Sequence, residues 1–478
     1  MTHSNSQEHT IYRDLRAQIQ MGFFDYGEPF PTLMEIARQY GVSYCPAQRA
    51  LKMLEKSGFV KIYHKKATVI TRKPYTDYLQ STAFRERIDA LADMNKTMEL
   101  ISPSACFFSL SHLDKGFFQN SEYEWKGNTV KQLYSSYLET IKTLGNQMLL
   151  SFYYDIISFA DSAFLDILYA LLGERETELF MQNILAEFRQ CAADYQSGHI
   201  DSAQQHLGVL SERFHGKIGE YFRNTDLHSG EGSGVSFTWE PSKGRNRYFD
   251  MIATDIICKI NQGRYQLGGF LPSYEKLSFI YHVSVSTIRR TVSILNKLGI
   301  LQTINGKGSQ VVSNGGPQLL QKFSEFTLDA NLISFLESMQ VLDAFSGPVI
   351  KYTFPYFAGD DLNHICKGAR QKDHKKALET VLSNTLQVIV NQCPLNTVKE
   401  IYSKITLQML NGSILRFVKT ESRQIPGWRK IADSIVQSCE NRNAAQFADS
   451  FHDVVQAAFI LTKQLLSDSG IAGAGDLE

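Results

Sequence analysis

Apolar positions recur with a helical period over short stretches and then break. In "YFDMIATDIICKINQGRY", Ile252, Ile256, Ile257 and Ile260 share one helical face, and Gly263 stops the pattern. "LPS", from Leu271, predicts the start of a second, short helix, "YEKLSFIY", with Ser273 as its N-cap. "HVS" reads as a tight turn. Ser284 or Ser286 then caps a third helix, "VSTIRRTVSILNKLG", whose Ile288, Val292 and Leu295 face inward and which Gly299 closes. In "ILQTINGKGSQVV" two short β runs flank "NGKG", a hairpin turn. Three helices and a hairpin predict a winged helix-turn-helix.

The same pattern stands 241 positions earlier. Ile11 falls on Ile252, Ile19 on Ile260, Gly22 on Gly263, Pro31 on Pro272, Tyr40 on Tyr281 and Ser43 on Ser284, without a gap. Arg49 meets Arg290, Leu54 meets Leu295, and Gly58 meets Gly299. The apolar frame of Ile36, Ala47, Leu51, Leu54 and Val60 survives in this first copy, so its fold should persist. Beyond the modules the repeat weakens, but "LETI" from Leu138 still meets "LETV" from Leu378 at nearly the same offset. The chain therefore reads as a duplicated unit.

The stretches after the modules keep a helical period, as in "FRERIDALADMNKTMELI" and "TELFMQNILAEFRQCAADY". The expected fold class is mainly α, with two winged helix-turn-helix domains, each followed by an all-helical effector- or dimerisation-like domain. The expected boundaries are 9–73 and 247–313 for the modules, 75–223 and 319–466 for the bodies, 224–246 for a polar, Gly-rich linker, and 467–478 for a tail.

Charge changes the picture. The 478 residues carry 49 basic and 49 acidic side chains, which alone would argue against a nucleic-acid partner. Yet residues 9–73 hold eleven Lys+Arg against five Asp+Glu, and residues 243–313 hold ten against three. Two basic segments in an acidic remainder suit a nucleic-acid binder with a separate regulatory body. Seven scattered cysteines without a CxxC point to reduced thiols and no zinc cluster. The polar N-terminus is no signal peptide, and the expected location is the cytoplasm. The apolar run from Met148 contains Asp155, Asp161 and Asp166, so it reads as a buried helix pair and not a membrane span.

The third helix has the dimensions to enter the DNA major groove. Its outward residues in the second copy are Ser284, Ser286, Thr287, Arg289 and Arg290, with Lys307 at the wing tip. Short hydroxyls and N-terminal amides suit phosphate, and an arginine forks onto guanine or clamps a phosphate. The first copy offers Ser43, Tyr44, Gln48 and Arg49, with Lys65 and Lys66 at its wing. Gln48 stands where the second copy has Arg289, and "HKKAT" replaces "NGKGS", so base reading by the first copy should be altered or weak. Cys45 reads as a bland small side chain and not a redox switch.

The segment "GGFLPSYEKLSFIYHVSVSTIRRTVSILNKLGILQTINGKGSQVV" resembles the GntR family of bacterial transcription regulators, with LPS, VS, TxR, LG and GxGS at family spacing. It departs from the family at Val285, and at Tyr44 in the first copy, where an arginine is usual after "VS". The resemblance implies a DNA-binding, non-catalytic regulator whose bodies sense a ligand and mediate dimerisation. A helical body is similar to the FadR-type class. The class fused to a pyridoxal-phosphate enzyme is excluded by size.

Some bodies of that family hold a metal, but His199 and His206, seven apart on one helix face, lack partners, so no metal and no cofactor are expected. No P-loop, GxSxG or HExxH occurs, so no enzyme is expected. The expectation is a sequence-specific, ligand-responsive regulator, a repressor rather than an activator, acting on double-stranded DNA as a fused pseudo-dimer whose bodies pack as two subunits do. The alternative is a regulatory scaffold in which one or both winged helices bind protein. Operator and effector are not legible, nor is a further homodimer.

Overall fold

The computed structural model describes residues 7–471, apart from 21–23, 25, 41, 64–66, 72–77, 112, 114–128, 161–162, 226–233, 242–247, 313–328 and 418–424, together with 474, 475 and 477. The chain divides into two units, residues 1–244 with 393–401, and residues 245–392 with 402–478. Helices dominate, and among the described residues the only strands are two antiparallel pairs.

In the first unit the module comprises helices α1 (Gln7–Gln20), α2 (Leu33–Gln39) and α3 (Tyr44–Lys56) and strands β1 (Val60–Lys61) and β2 (Val69–Ile70). Its core is Ile11, Leu15, Ile19, Ile36, Ala47, Leu51 and Leu54, closed by Phe30, Phe59 and Ile70. Thr32, in the place of Ser273, starts α2 with a capping box: its backbone N–H donates to Glu35 Oε2 at 2.7 Å while its Oγ1 accepts from Glu35 N at 3.3 Å.

The body of this unit follows: α4 (Thr82–Arg85), α5 (Ile88–Leu110), α6 (Thr129–Thr143), α7 (Gln147–Ala160), α8 (Ala163–Leu172), α9 (Glu174–Gln196) and α10 (Ile200–Asn224). The apolar run from Met148 is thus two helices, α7 and α8, and no helix among the described residues is long and apolar enough to cross a membrane. Helix α5 packs along α10, and α10 along α9. In the stretch read as a linker, residues 234–241 lie against this body. Phe237 and Trp239 are buried, with ring centroids 6.4 and 5.2 Å from Phe152.

Between α5 and α10, Asn95 spans His215. Its Nδ2 donates to the His215 carbonyl, and its Oδ1 faces His215 Nδ1, both at 2.9 Å. Burial pushes the His215 imidazole down to about 3. The unfolded chain takes up this proton below about 6.5. Stability is therefore full above that pH and falls on acidification towards 3, at up to ~1.4 kcal/mol per pH unit for one proton. His215→Gln, which stays neutral, should flatten the decline of thermal midpoint between pH 6.5 and 4. A profile as steep as the parent's would show that His215 is not the group responsible.

In the second unit the module repeats the first at the same offset: α11 (Tyr248–Asn261), α12 (Tyr274–Tyr281), α13 (Val285–Lys297), β3 (Leu301–Ile304) and β4 (Gly308–Val311). Both α1 and α3 map onto α11 and α13 end to end. The body is α14 (Asp329–Thr353), α15 (Gly359–Ala369), α16 (His374–Gln392), α17 (Asn396–Met409, of which residues 396–401 belong to the first unit), α18 (Trp428–Glu440) and α19 (Ala444–Asp468). The long α14 packs on α19 much as α5 packs on α10, so the duplication extends into the bodies. Phe354, Phe357, Phe447 and Phe451 form the aromatic centre of this body. Phe354 and Phe357 serve the core, while Tyr356 between them is exposed.

Candidate nucleic-acid interface

The second recognition helix, α13, is positioned by the turn before it. His282 takes a left-handed conformation, φ 52°, and lets the chain reverse after α12. Ser278 Oγ donates to the Val283 carbonyl across the same turn. Of the two candidate caps, Ser284 is the one used: its Oγ accepts from Thr287 N at 3.2 Å. The same oxygen lies 2.7 Å from Ser286 Oγ and 2.9 Å from Thr287 Oγ1. Three hydroxyls thus sit at the helix N-terminus, where backbone N–H groups and the helix dipole favour an anion such as phosphate.

The inner face of α13 is buried through Ile288, Thr291, Val292 and Leu295. Thr291 Oγ1 donates to the Phe249 carbonyl of α11 at 3.2 Å. The two outward arginines have different surroundings. The Arg290 guanidinium stacks over the Phe249 ring, 4.0 Å from its centroid, which ties it to the module itself. Arg289 is exposed.

The wing is a four-pair ladder from Leu301↔Val311 to Ile304↔Gly308. Phe270 adds a bridge to Gln310, so the chain before α12 makes a third edge. Gly306 and Gly308 have φ of 74° and 114°, conformations that side chains with a Cβ resist, and they carry Lys307 exposed at the tip. Asn296 Nδ2 donates to Thr303 Oγ1 at 2.7 Å, fixing the wing to the recognition helix.

The first copy presents different chemistry on the same frame. Ser43 precedes α3 in cap conformation without a side-chain cap bond. Tyr44 and Cys45 are exposed, and Gln48 is half-buried in the register of Arg289. Pro46 stands at the position of Thr287, so that position lacks both an N–H and a hydroxyl. Arg49 Nη1 lies 3.3 Å from Glu8 Oε1 on α1. Glu8 occupies the position of Phe249, so each copy turns its second arginine onto the same site of its own first helix, by an ion pair in one and ring stacking in the other. Lys65 and Lys66 lie outside the described residues.

One constellation escaped the sequence reading although the repeat offset carries it. In both copies a tyrosine at the end of the second helix donates to an aspartate 26 residues earlier on the first: Tyr40 to Asp14, and Tyr281 to Asp255, the latter at 2.5 Å. The residue four after the aspartate completes each group. Gln18 Nε2 donates to Asp14 at 3.1 Å, and Lys259 Nζ lies 2.7 Å from Asp255. Burial holds the Asp14 carboxyl above its usual range, with Tyr134 and Tyr154 of the body close to the Tyr40 end of the pair. The second module meets its body through Asn331 Nδ2, which donates to Thr254 Oγ1 at 3.0 Å, and through Cys258 Sγ, 3.4 Å from the Leu410 carbonyl.

His206, one of the two histidines weighed for a metal, pairs with Asp194 at 3.2 Å, while His199 marks the start of α10. Among the described residues no three His, Cys, Asp or Glu side chains gather as a metal site. All seven cysteines are free thiols, six of them buried and Cys45 exposed.

The model of the bacterial regulatory proteins of the gntR family matches residues 7–70 and 249–311, the two modules. The HTH-type transcriptional regulator TreR of Bacillus subtilis is 30% identical over 90 residues, covering 18% of this chain and 38% of that protein. Among solved structures, a GntR protein of Streptococcus agalactiae is 17% identical, with 45% of this chain and 99% of that one covered and a TM-score of 0.20. A GntR-family transcriptional regulator of Pseudomonas syringae pv. tomato is 13% identical, with 48% and 92% covered and a TM-score of 0.18.

Proposed function

The chain carries two GntR-family winged helix-turn-helix modules in tandem, and from that premise we propose that it is a sequence-specific, ligand-responsive transcription regulator acting as a fused pseudo-dimer. One GntR-type reading head covers one half-site, and a single chain with two heads supplies both. Repression is the proposed mode, because it requires only that the operator be occupied. The observation that carries the reading is the outward face of α13, where three hydroxyls at the helix N-terminus and the exposed Arg289 offer phosphate and base contacts side by side. Ligand response is supported by the hydrogen bonds that fasten the second module to its own body, so that a rearrangement of the body moves the reading head.

Selection of duplexes from a random library by the full chain tests this reading. Enrichment of one motif is expected, and a library left without a motif would contradict it. At the wing, Lys307→Ala should weaken selected and unrelated duplexes alike and lower the salt slope of binding by about 1, the signature of a lost phosphate contact. An unchanged slope would remove Lys307 from the interface.

A further inference from the structure

The geometry points to two half-sites of different base chemistry, one guanine-centred and read by Arg289, the other adenine-centred and read by Gln48. The inference rests on the DNA-binding reading above and goes beyond it by assigning which residue of each copy sets the specificity and for which base.

Beyond the helix start three registers lie off the buried face, 48 with 289, 49 with 290 and 52 with 293; all of these side chains are exposed except Gln48, which is half-buried. The second register, though exposed, makes a contact within its own module in each copy. Arg290 lies over the Phe249 ring at 4.0 Å, and Arg49 reaches Glu8 at 3.3 Å, at the equivalent site of the first helix. The copies differ at the first register, arginine against glutamine, and at the third, Ser293 against Lys52; the first lies one turn nearer the helix N-terminus, the end that contacts base edges in this motif. The buried residues on either side fix this equivalence. Ala47, Ala50 and Leu51 in α3 fall on Ile288, Thr291 and Val292 in α13.

Arginine presents two parallel N–H donors, which match O6 and N7 of guanine. The glutamine amide presents one donor and one acceptor, which match N7 and N6–H of adenine. Neither side chain serves the other's base, because a donor would meet a donor or an acceptor an acceptor. The surroundings diverge in the same direction. Module 2 offers Ser286 and Thr287 hydroxyls for phosphate, whereas module 1 has Cys45 and Pro46 there. Module 1 therefore draws less from the sugar–phosphate backbone and more from the base edge. The operator is asymmetric as a consequence, which a homodimer of identical heads does not favour and a fused pair permits.

The test uses the full chain in three forms: the parent, Gln48→Arg and Arg289→Gln. Arg289 is exposed and Gln48 half-buried, and circular dichroism checks that the fold is kept. Each form selects its motif from a random duplex library, and affinities are then measured on duplexes carrying single base-pair changes. The parent should select a two-part motif with a guanine-dependent half and an adenine-dependent half. Exchanging adenine for guanine in the second of these should weaken the parent about tenfold or more, the discrimination of one good bidentate pair. Gln48→Arg should reverse that preference and make the motif closer to a palindrome, and Arg289→Gln should move the other half towards adenine. A parent motif with guanine in both halves, a motif with one half only, or base preferences unmoved by Gln48→Arg would overturn the inference while leaving a DNA-binding regulator. Absence of any motif would instead overturn the reading on which it rests.

Discussion

Replacing Arg289 with alanine should lower the affinity of the full chain for its selected duplex by about 5- to 150-fold, the ~1–3 kcal/mol of one bidentate base contact. Binding to unrelated DNA should fall far less, because that binding comes from phosphate neutralisation spread over many groups. Arg290→Ala provides the contrast. Its guanidinium stacks on Phe249, so its loss should show in the thermal stability of the second module by about 0.5–1 kcal/mol, with base preference retained. Anisotropy titrations of the two variants on selected and scrambled duplexes separate the reading arginine from the supporting one. Equal loss of preference in both would mean that the division of labour drawn from α13 is wrong.

The second large effect concerns Trp239. Its ring is fully buried in the first unit, edge-on to Phe152 at 5.2 Å, with Phe237 beside it and Phe159 5.5 Å from Phe237. Truncation to alanine removes most of that ring's contacts and leaves a cavity, a change that costs ~3–5 kcal/mol for an aromatic in a core. Trp239→Ala should therefore lower the first melting transition by several degrees and speed proteolysis within residues 234–241. An unshifted transition with unchanged cleavage would mean that the stretch is not docked on α7.

Much of the two modules was legible before any coordinates, because each local signal agreed with the next. The helical faces end at glycines, the caps at Thr32, Ser273 and Ser284 stand where the periodicity starts, and the repeat offset of 241 carries the pattern twice. The side-chain partnerships between helices were not legible in the same way. The stacking of Arg290 on Phe249 and the Tyr40–Asp14 hydrogen bond join residues 41 and 26 positions apart, and no helical or strand period links such distances. The second of these was nonetheless within reach, since the same Asp–Tyr spacing recurs in the second copy at Asp255 and Tyr281.

The docked Trp239 was hidden by its neighbours. Gly, Ser and polar residues around it read as an unstructured tether, and the packing that buries it comes from α7, some eighty residues earlier. The bodies were legible as helical from their apolar period, but the pairing of α5 with α10 and of α14 with α19 depends on contacts that a period cannot name. The candidate site shows the same division. Arg289, Ser286 and Thr287 lie together on the α13 face as their spacing requires, whereas the tie between Arg49 and Glu8 became visible only when α1 was placed beside α3.

The central claim is that this chain recognises a particular DNA sequence through its two winged helices. The most direct measurement is an anisotropy titration of the full chain against its selected duplex and a scrambled duplex of the same composition, at several salt concentrations. The account predicts saturable binding with a preference of about a thousandfold or more for the selected duplex, and a log–log salt slope that reflects several phosphate contacts. Equal affinity for the two duplexes at every salt concentration would contradict it.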